Sequence, residues 1–274
     1  MSPISIPGKV TLQKEFIPQS FMYLNPDTFG LWSPSQLSTE LWLDAADAST
    51  VTTVSNVVSQ WNDKSGNARH VSQSNSTLRP IVDINVQNQL NGITFDGIDD
   101  FLETSSAFPI GGNPAFSVFS AHKRGPSFNQ RFGWGDNVTF EGATVLGASF
   151  AFLGAQNFNA AIQPAAGSVY LYGYTKSPNA INITSNLYLN GANNNGTGHS
   201  TGYPNIDPTF PLRVGRLGPI TNLFDDGTYF EIIILNSNAS TTTRQKIEGY
   251  LAHKWGLTGN LPSDHPYKTG APML

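Results

Sequence analysis

The sequence predicts an all-β protein, with antiparallel strands stacked in two sheets, one C-terminal amphipathic helix and an extended N-terminal arm. Three observations support this: only 12% of the 274 residues are charged, the chain contains 26 Gly and 18 Pro, and 11% of its residues are aromatic. A typical soluble domain has about 25% charged residues. Gly and Pro end helices and mark turns, whereas aromatic side chains pack well on a pleated sheet. The length fits one large β sandwich or two small domains.

Residues 1–38 form a segment of their own, in which five prolines recur among large apolar residues. Prolines at these intervals exclude a long helix. The composition predicts an extended arm for docking and oligomerisation, which contacts the body of the chain or a neighbouring subunit, so a homo-oligomer is expected. The docking contacts are assigned to Phe16, Ile17, Phe21, Met22 and Tyr23.

Residues 39–274 are predicted to form the sandwich. Short apolar or alternating segments bounded by turn residues are typical of strands buried between stacked sheets. Asn190-Gly191 predicts a two-residue hairpin turn, because both residues accept a positive φ. The candidate strands lie at 41–47, 57–61, 92–97, 115–121, 148–153, 168–174, 185–189, 212–217 and 227–235.

One segment near the C-terminus has helical spacing instead. It begins with capping hydroxyls, including a Thr242…Gln245 capping box, and it ends at Gly256. A helix of about 241–255 is therefore predicted, with its apolar stripe on the sandwich and the chain end wrapping back over the body. The stripe consists of Ile247, Tyr250, Leu251 and Trp255.

Charge and composition exclude several classes of partner. The formal net charge is −4 and no run of Lys or Arg is present, which argues against a nucleic-acid interface and a polybasic membrane anchor. No apolar run approaches the roughly 20 residues of a membrane span, and the first residues do not resemble a secretory signal. Because the chain has no Cys, disulfides, thiolate catalysis and Cys-ligated zinc are excluded.

Four blocks in a fixed order resemble the laminin-G-like jelly-roll family. This resemblance implies a concanavalin A-like jelly roll of two antiparallel sheets, a scaffold often used to hold sugars or partner proteins. Similar domains occur in bacteriophage virion proteins and in bacterial surface proteins. The four blocks are 41–47, 58–67, 91–102 and 247–267.

The resemblance, together with the apolar arm, leads to the expectation of a non-enzymatic phage virion structural protein. It would be a capsid decoration or a fibre and adhesion module, located in the virion, with its arm on capsid or tail proteins and its jelly roll facing a cell-surface glycan. Two alternatives stay open: a glycan-degrading hydrolase or lyase on the concanavalin-like fold, and a stand-alone carbohydrate-binding lectin.

No catalytic residues and no cofactor are predicted, apart from a structural calcium ion. Glu40 and Asp44 share a strand face, but their spacing is not that of the endoglucanases with this architecture. The segment 198–202 matches G-x-S-x-G, yet it lacks the strand before and the helix after that give this pattern its meaning. The five His residues have no paired spacing that would hold zinc.

Two candidate sites remain. Trp134, between two glycines, is either a core residue, like most large aromatics of a sandwich, or a loop aromatic that stacks on a sugar ring. In the second case Tyr203, Asn194 and Asn195 would join it as glycan contacts. Asp96, Asp99 and Asp100 crowd one turn, where they would either coordinate calcium or cap the backbone of the turn.

Overall fold

A computed structural model describes residues 30–127, 130–136, 141–146, 149–152, 156–158, 160–178, 185–197, 206–216 and 224–274. The strands and the helix of this part are β1 (Leu41–Asp44), β2 (Val51–Val54), β3 (Val57–Trp61), β4 (Val71–Ser72), β5 (Ile81–Gln87), β6 (Leu90–Thr94), β7 (Leu102–Ala107), β8 (Phe116–Lys123), β9 (Gln130–Asp136), β10 (Glu141–Leu146), β11 (Ser149–Phe152), β12 (Gln156–Phe158), β13 (Val169–Lys176), β14 (Asn186–Leu189), β15 (Ala192–Asn193), β16 (Pro211–Val214), β17 (Thr228–Leu235) and α1 (Thr241–Lys254).

The strands pair antiparallel and form two stacked layers. The front layer has the order β15-β14-β13-β8-β17-β1, and the back layer has the order β12-β11-β10-β9-β16-β7-β4-β3-β2. The β5–β6 hairpin joins them, since β6 pairs with β17 and β5 with β3. The predicted all-β sandwich is confirmed. The Asn190-Gly191 turn between β14 and β15 is also confirmed, with φ values of 53° and 80°.

Two apolar clusters hold the layers together. The first fills the space between the sheets with side chains from both layers, among them Leu43, Trp61, Phe132, Tyr172 and Ile232. Successive side chains of a strand point to opposite faces of the sheet, so every second residue points into the space between the two layers. The second cluster lies between the front layer and α1, so the molecule has three layers: helix, front sheet and back sheet.

The helix α1 begins at Thr241 as predicted, and its N-cap lies two residues before the predicted capping box. Ser240 is the N-cap, and its Oγ accepts a hydrogen bond from the Thr243 amide at 3.1 Å. The Thr242…Gln245 capping box is therefore wrong, since Thr242 lies inside the helix. The predicted apolar stripe of four residues is buried, and Leu257 and Leu261 return over the body as expected. The buried side of α1 also contains Arg244, Glu248 and Lys254, so charged residues share the interface with the sheet.

The described part of the predicted arm packs on the helix layer. Leu31 and Trp32 are buried, and the Trp32 ring meets Tyr250 edge to face at 6.2 Å. The Trp32 amide donates to Pro272 O, and the Leu274 amide donates to Gly30 O. Residues 30–32 thus run antiparallel beside the chain end. Within the described residues, no helix is both long and apolar enough to cross a membrane.

Candidate functional site

A polar cleft opens on the outer face of the back layer, where β4, β7 and β16 meet. Its volume is about 380 Å³, within the range of small-ligand sites. Hydroxyl, amide and carboxylate groups dominate its lining, the groups that pair with the hydroxyls of a sugar. Its polar side chains include Ser72, Gln73, Glu103, Ser105, Ser106 and Thr209.

A bulge in β7 shapes the polar cleft. The register pairs Pro211 with Ala107 and Arg213 with Glu103, so three residues of β7 oppose one residue of β16. The Leu212 amide donates to Thr104 Oγ1 at 3.0 Å, in place of a backbone partner. Such a bulge redirects side chains and is common beside binding sites. Here it leaves Ser105 and Ser106 exposed at the rim.

An ion pair fixes the carboxylate of the polar cleft. Arg213 Nε donates to Glu103 Oε2 at 2.9 Å. The Arg213 side chain is 10% exposed, whereas that of Glu103 is 40% exposed and lines the cleft. Among the side chains that the structure describes, Glu103 is the one carboxylate in the lining. The arrangement offers an oriented acceptor whose charge is already balanced.

The prediction that Trp134 contacts a ligand from a loop is not supported by its position. Trp134 lies on β9, is 1% exposed and belongs to the inner core. Its ring packs against Phe108 and Phe116, with centroids 5.1 and 5.5 Å away, and its Nε1 donates to Ile110 O at 2.9 Å. A side chain enclosed in this way offers no free face to a sugar. The glycines on either side belong to the strand and not to a loop.

The other predicted glycan contacts have structural partners or lie outside the described residues. Asn194 is 3% exposed, and its amide group exchanges hydrogen bonds with the backbone of Ile162 at 2.9 Å each. Asn195 Oδ1 accepts from the Leu187 amide at 2.7 Å. Both side chains therefore hold neighbouring loops to the sheet. Tyr203 and the 198–202 segment lie outside the described residues, as do the docking residues Phe16, Ile17, Phe21, Met22 and Tyr23.

The three aspartates of the acidic turn come together as expected. Each places a carboxylate oxygen within 4.8 Å of the others. Asp96 Oδ1 accepts from the amides of Ile98, Asp99 and Asp100, and Asp100 Oδ2 accepts from the Asp96 amide at 3.1 Å. These bonds correspond to the capping interpretation of the turn. The calcium ion stays a prediction, with Asp96, Asp99 and Asp100 as its ligands.

Asp100 makes the stability of the protein depend on pH. Burial, followed by the negative charge of Asp96, raises the pKa of Asp100 to about 6. The carboxyl group of an Asp in an unfolded chain has a pKa of ~3.9. Between about pH 4 and pH 6 the native state therefore keeps the Asp100 proton, whereas the unfolded chain releases it. The contribution of this proton to the stability of the native state is complete below about pH 4 and is lost as the pH rises through about 6.

We therefore expect Asp100→Asn to raise the free energy of unfolding at pH 7 by about 1–2 kcal/mol and to leave it nearly unchanged at pH 4. Urea unfolding at both pH values measures this, with the exposed Asp264→Asn as the matched control. An equal effect at both pH values would contradict the assignment.

Three of the four blocks that carry the family resemblance contribute Asp44, Lys64 and Lys254 to a buried ion cluster, which Glu231 of β17 completes. Lys254 Nζ donates to Asp44 Oδ1 at 2.6 Å and to Glu231 Oε2 at 2.8 Å, and Lys64 Nζ donates to Asp44 Oδ2 at 3.0 Å. Burial would raise the pKa of Asp44, but the two lysines outweigh it and lower that pKa. Asp44 therefore has no access to an open groove, and it does not pair with Glu40, which binds Arg69.

Comparison with known proteins gives matches to solved structures. No protein-family model and no curated protein matches this chain. A Trypanosoma rangeli sialidase in complex with sialic acid has a TM-score of 0.49 at 14% identity and covers 77% of this chain, which spans 32% of the sialidase. Domain 4 of a Geobacillus stearothermophilus GH43 arabinanase, in complex with arabinotriose, has a TM-score of 0.49 at 10% identity, covering 66% of this chain and 89% of that domain.

An arabinofuranosidase complexed with arabinofuranosyl-alpha-1,2-xylobiose has a TM-score of 0.50 at 13% identity, covering 81% of this chain and 60% of the enzyme. This chain shares its fold. The prediction that the protein is not an enzyme is therefore wrong as an exclusion, because the same fold occurs in an arabinofuranosidase. At this identity the likeness concerns the fold alone. Membership of the laminin-G-like family and a place in a virion stay predictions.

Proposed function

We propose that this chain is a carbohydrate-recognition β-sandwich that binds glycans in the polar cleft. The observation that carries the proposal is the lining of that cleft, where hydroxyl and amide groups surround one oriented carboxylate, that of Glu103. Such groups match the alternating donors and acceptors of sugar hydroxyls. The sugar-containing complexes of the arabinanase domain and the arabinofuranosidase are in keeping with this function.

The charge of the cleft sets a preference among glycans. Arg213 is neutralised by Glu103, so the described lining presents a carboxylate and neutral dipoles to a ligand. An anionic sugar would lose solvation without gaining a free cation as partner. We therefore expect neutral oligosaccharides to bind better than sialylated or uronic-acid-containing ones.

A substitution at the rim tests the proposal. Ser106 is exposed, so Ser106→Arg should fill the cleft without disturbing the core, and we expect it to weaken binding at least about tenfold. Binding of wild type and variant to a glycan array, followed by calorimetry on the best neutral glycan, measures this. Ser76→Arg, on an exposed turn outside the cleft, is the matched control. Equal binding by all three proteins would place recognition elsewhere.

A second candidate function is glycoside hydrolysis. It is favoured by the fold that this chain shares with an arabinofuranosidase. Glycosidases use two carboxylates, about 5–9 Å apart, as acid and nucleophile or base. Release of reducing sugar from the glycans that bind would support this function. Binding without release would leave recognition alone.

A further inference from the structure

Three side chains of the buried ion cluster, those of Asp44, Glu231 and Lys254, are in direct contact with one another. Asp44 and Glu231 are direct cross-strand partners in β1 and β17, so both carboxylates reach the same nitrogen, Lys254 Nζ. The Asp44 side chain is 2% exposed, and those of Glu231 and Lys254 are fully buried. An amine and a carboxyl group are thus held in contact where water has no access.

We propose that Lys254 and Asp44 join in an intramolecular isopeptide bond, with Glu231 as the group that transfers the protons. Lys254 Nζ is the nucleophile and Asp44 Cγ is the carbon attacked. Lys64 Nζ, 3.0 Å from Asp44 Oδ2, stabilises the negative charge that develops on that oxygen during the attack.

The reaction balances without a further reactant. Lys254 Nζ gives a proton to Glu231 Oε2 and forms a bond to Asp44 Cγ, which produces a tetrahedral intermediate. Glu231 passes this proton to Oδ1, and the nitrogen gives up a second proton to the same oxygen. The bond from Cγ to Oδ1 then breaks and releases one water molecule, while Oδ2 becomes the amide carbonyl and the third proton stays on the amide nitrogen. Glu231 ends in the protonation state in which it began.

The surroundings favour condensation over hydrolysis. Trp42 Nε1 and Trp255 Nε1 donate to Glu231 at 2.7 and 2.9 Å, and these large rings close the site to solvent. Burial raises the pKa of Glu231, with Lys254 opposing the shift, which suits a carboxylate that must accept a proton from a neighbouring ammonium. The lowered pKa of Asp44 means that the reaction starts from the ion pair.

The product also relieves an electrostatic cost. Two buried opposite charges become one neutral amide, so the desolvation of both ions is removed. The bond would tie the first strand of the sandwich to the C-terminal helix, between residues 210 positions apart. The chain contains no Cys, so no disulfide can provide such a link.

Mass spectrometry of the intact full-length chain tests the proposal directly. We expect the wild-type mass to be lower than the sequence mass by one water molecule, and digestion to yield a branched peptide that joins Asp44 to Lys254. Lys254→Arg keeps a cation but should show its full sequence mass. Asp44→Asn should instead lose one ammonia, because the carboxamide nitrogen of the Asn side chain is then the leaving group.

Lys246→Arg is the matched control on the same helix. Its Nζ lies over the Trp32 ring, away from the carboxylates, so this variant should still lose one water. A wild-type protein with its full mass and no branched peptide after prolonged incubation would overturn the proposal and leave an ion cluster only. Because the wild-type measurement decides this, failure of a variant to fold does not affect the outcome.

Discussion

Lys254→Met will lower the free energy of unfolding by about 3–5 kcal/mol, one of the two largest effects that we expect from a single substitution in this chain. Lys254 Nζ contacts both Asp44 and Glu231, and none of the three side chains is more than 2% exposed. Without the Lys254 nitrogen, whether it is a free ammonium group or is bonded to Asp44, the Asp44 and Glu231 carboxylates face each other in a dry site and lose their partner. Urea unfolding followed by tryptophan fluorescence measures the loss.

Two further variants separate the charge from the packing. Lys246→Met, on the same helix, should change stability by no more than about 1 kcal/mol, since it loses a single contact with the Trp32 ring. Glu231→Gln combined with Lys254→Met should be less destabilised than Lys254→Met alone, because it buries one charge fewer. A Lys254→Met protein as stable as the Lys246→Met protein would contradict the role of the ion cluster.

Trp134→Ala will also lower the free energy of unfolding by about 3–5 kcal/mol. The buried Trp134 ring packs against the rings of Phe108 and Phe116, so its removal leaves a cavity between the two sheets. It also removes the hydrogen bond from Nε1 to Ile110 O. Trp134→Phe keeps most of the volume and should cost less. Thermal and urea unfolding of both variants measure the difference.

The same variant distinguishes a core residue from a ligand contact. At a temperature where Trp134→Phe is folded, its affinity for a neutral glycan should equal that of the wild type, whereas Ser106→Arg loses affinity while keeping its stability. Reduced affinity in a folded Trp134→Phe protein would return this residue to the binding site and contradict its place in the core.

Local sequence features predicted the elements whose causes are local. The capping hydroxyls and the spacing of Ile247, Leu251 and Trp255 predicted α1, because a helix is defined by neighbours three and four positions apart. The capping box was misplaced, since Ser and Thr both cap helices and it is Ser240 whose side chain accepts the bond from the Thr243 amide. Asn190-Gly191 predicted its turn for a similarly local reason.

The candidate site could not be predicted in this way. Ser72, Glu103 and Arg213 come from three separate regions, and only the register of β4, β7 and β16 brings them side by side. β7 is absent from the predicted strands; its serines and Glu103, a polar run in an otherwise apolar sandwich, are the one signal that could have pointed to this place. Trp134 was wrongly assigned to a loop, because its two flanking glycines are compatible with both a loop and a strand.

The sequence by itself determined the fold class, the helix and its buried stripe, because turn residues, alternation and capping act over a few positions. Only the tertiary structure decided which charges meet. Asp44, Glu231 and Lys254 lie far apart in the chain. Their contact depends on the register of β1 with β17 and on the packing of α1 against the front layer. Register is a property of two strands at once, so no single segment of sequence contains it.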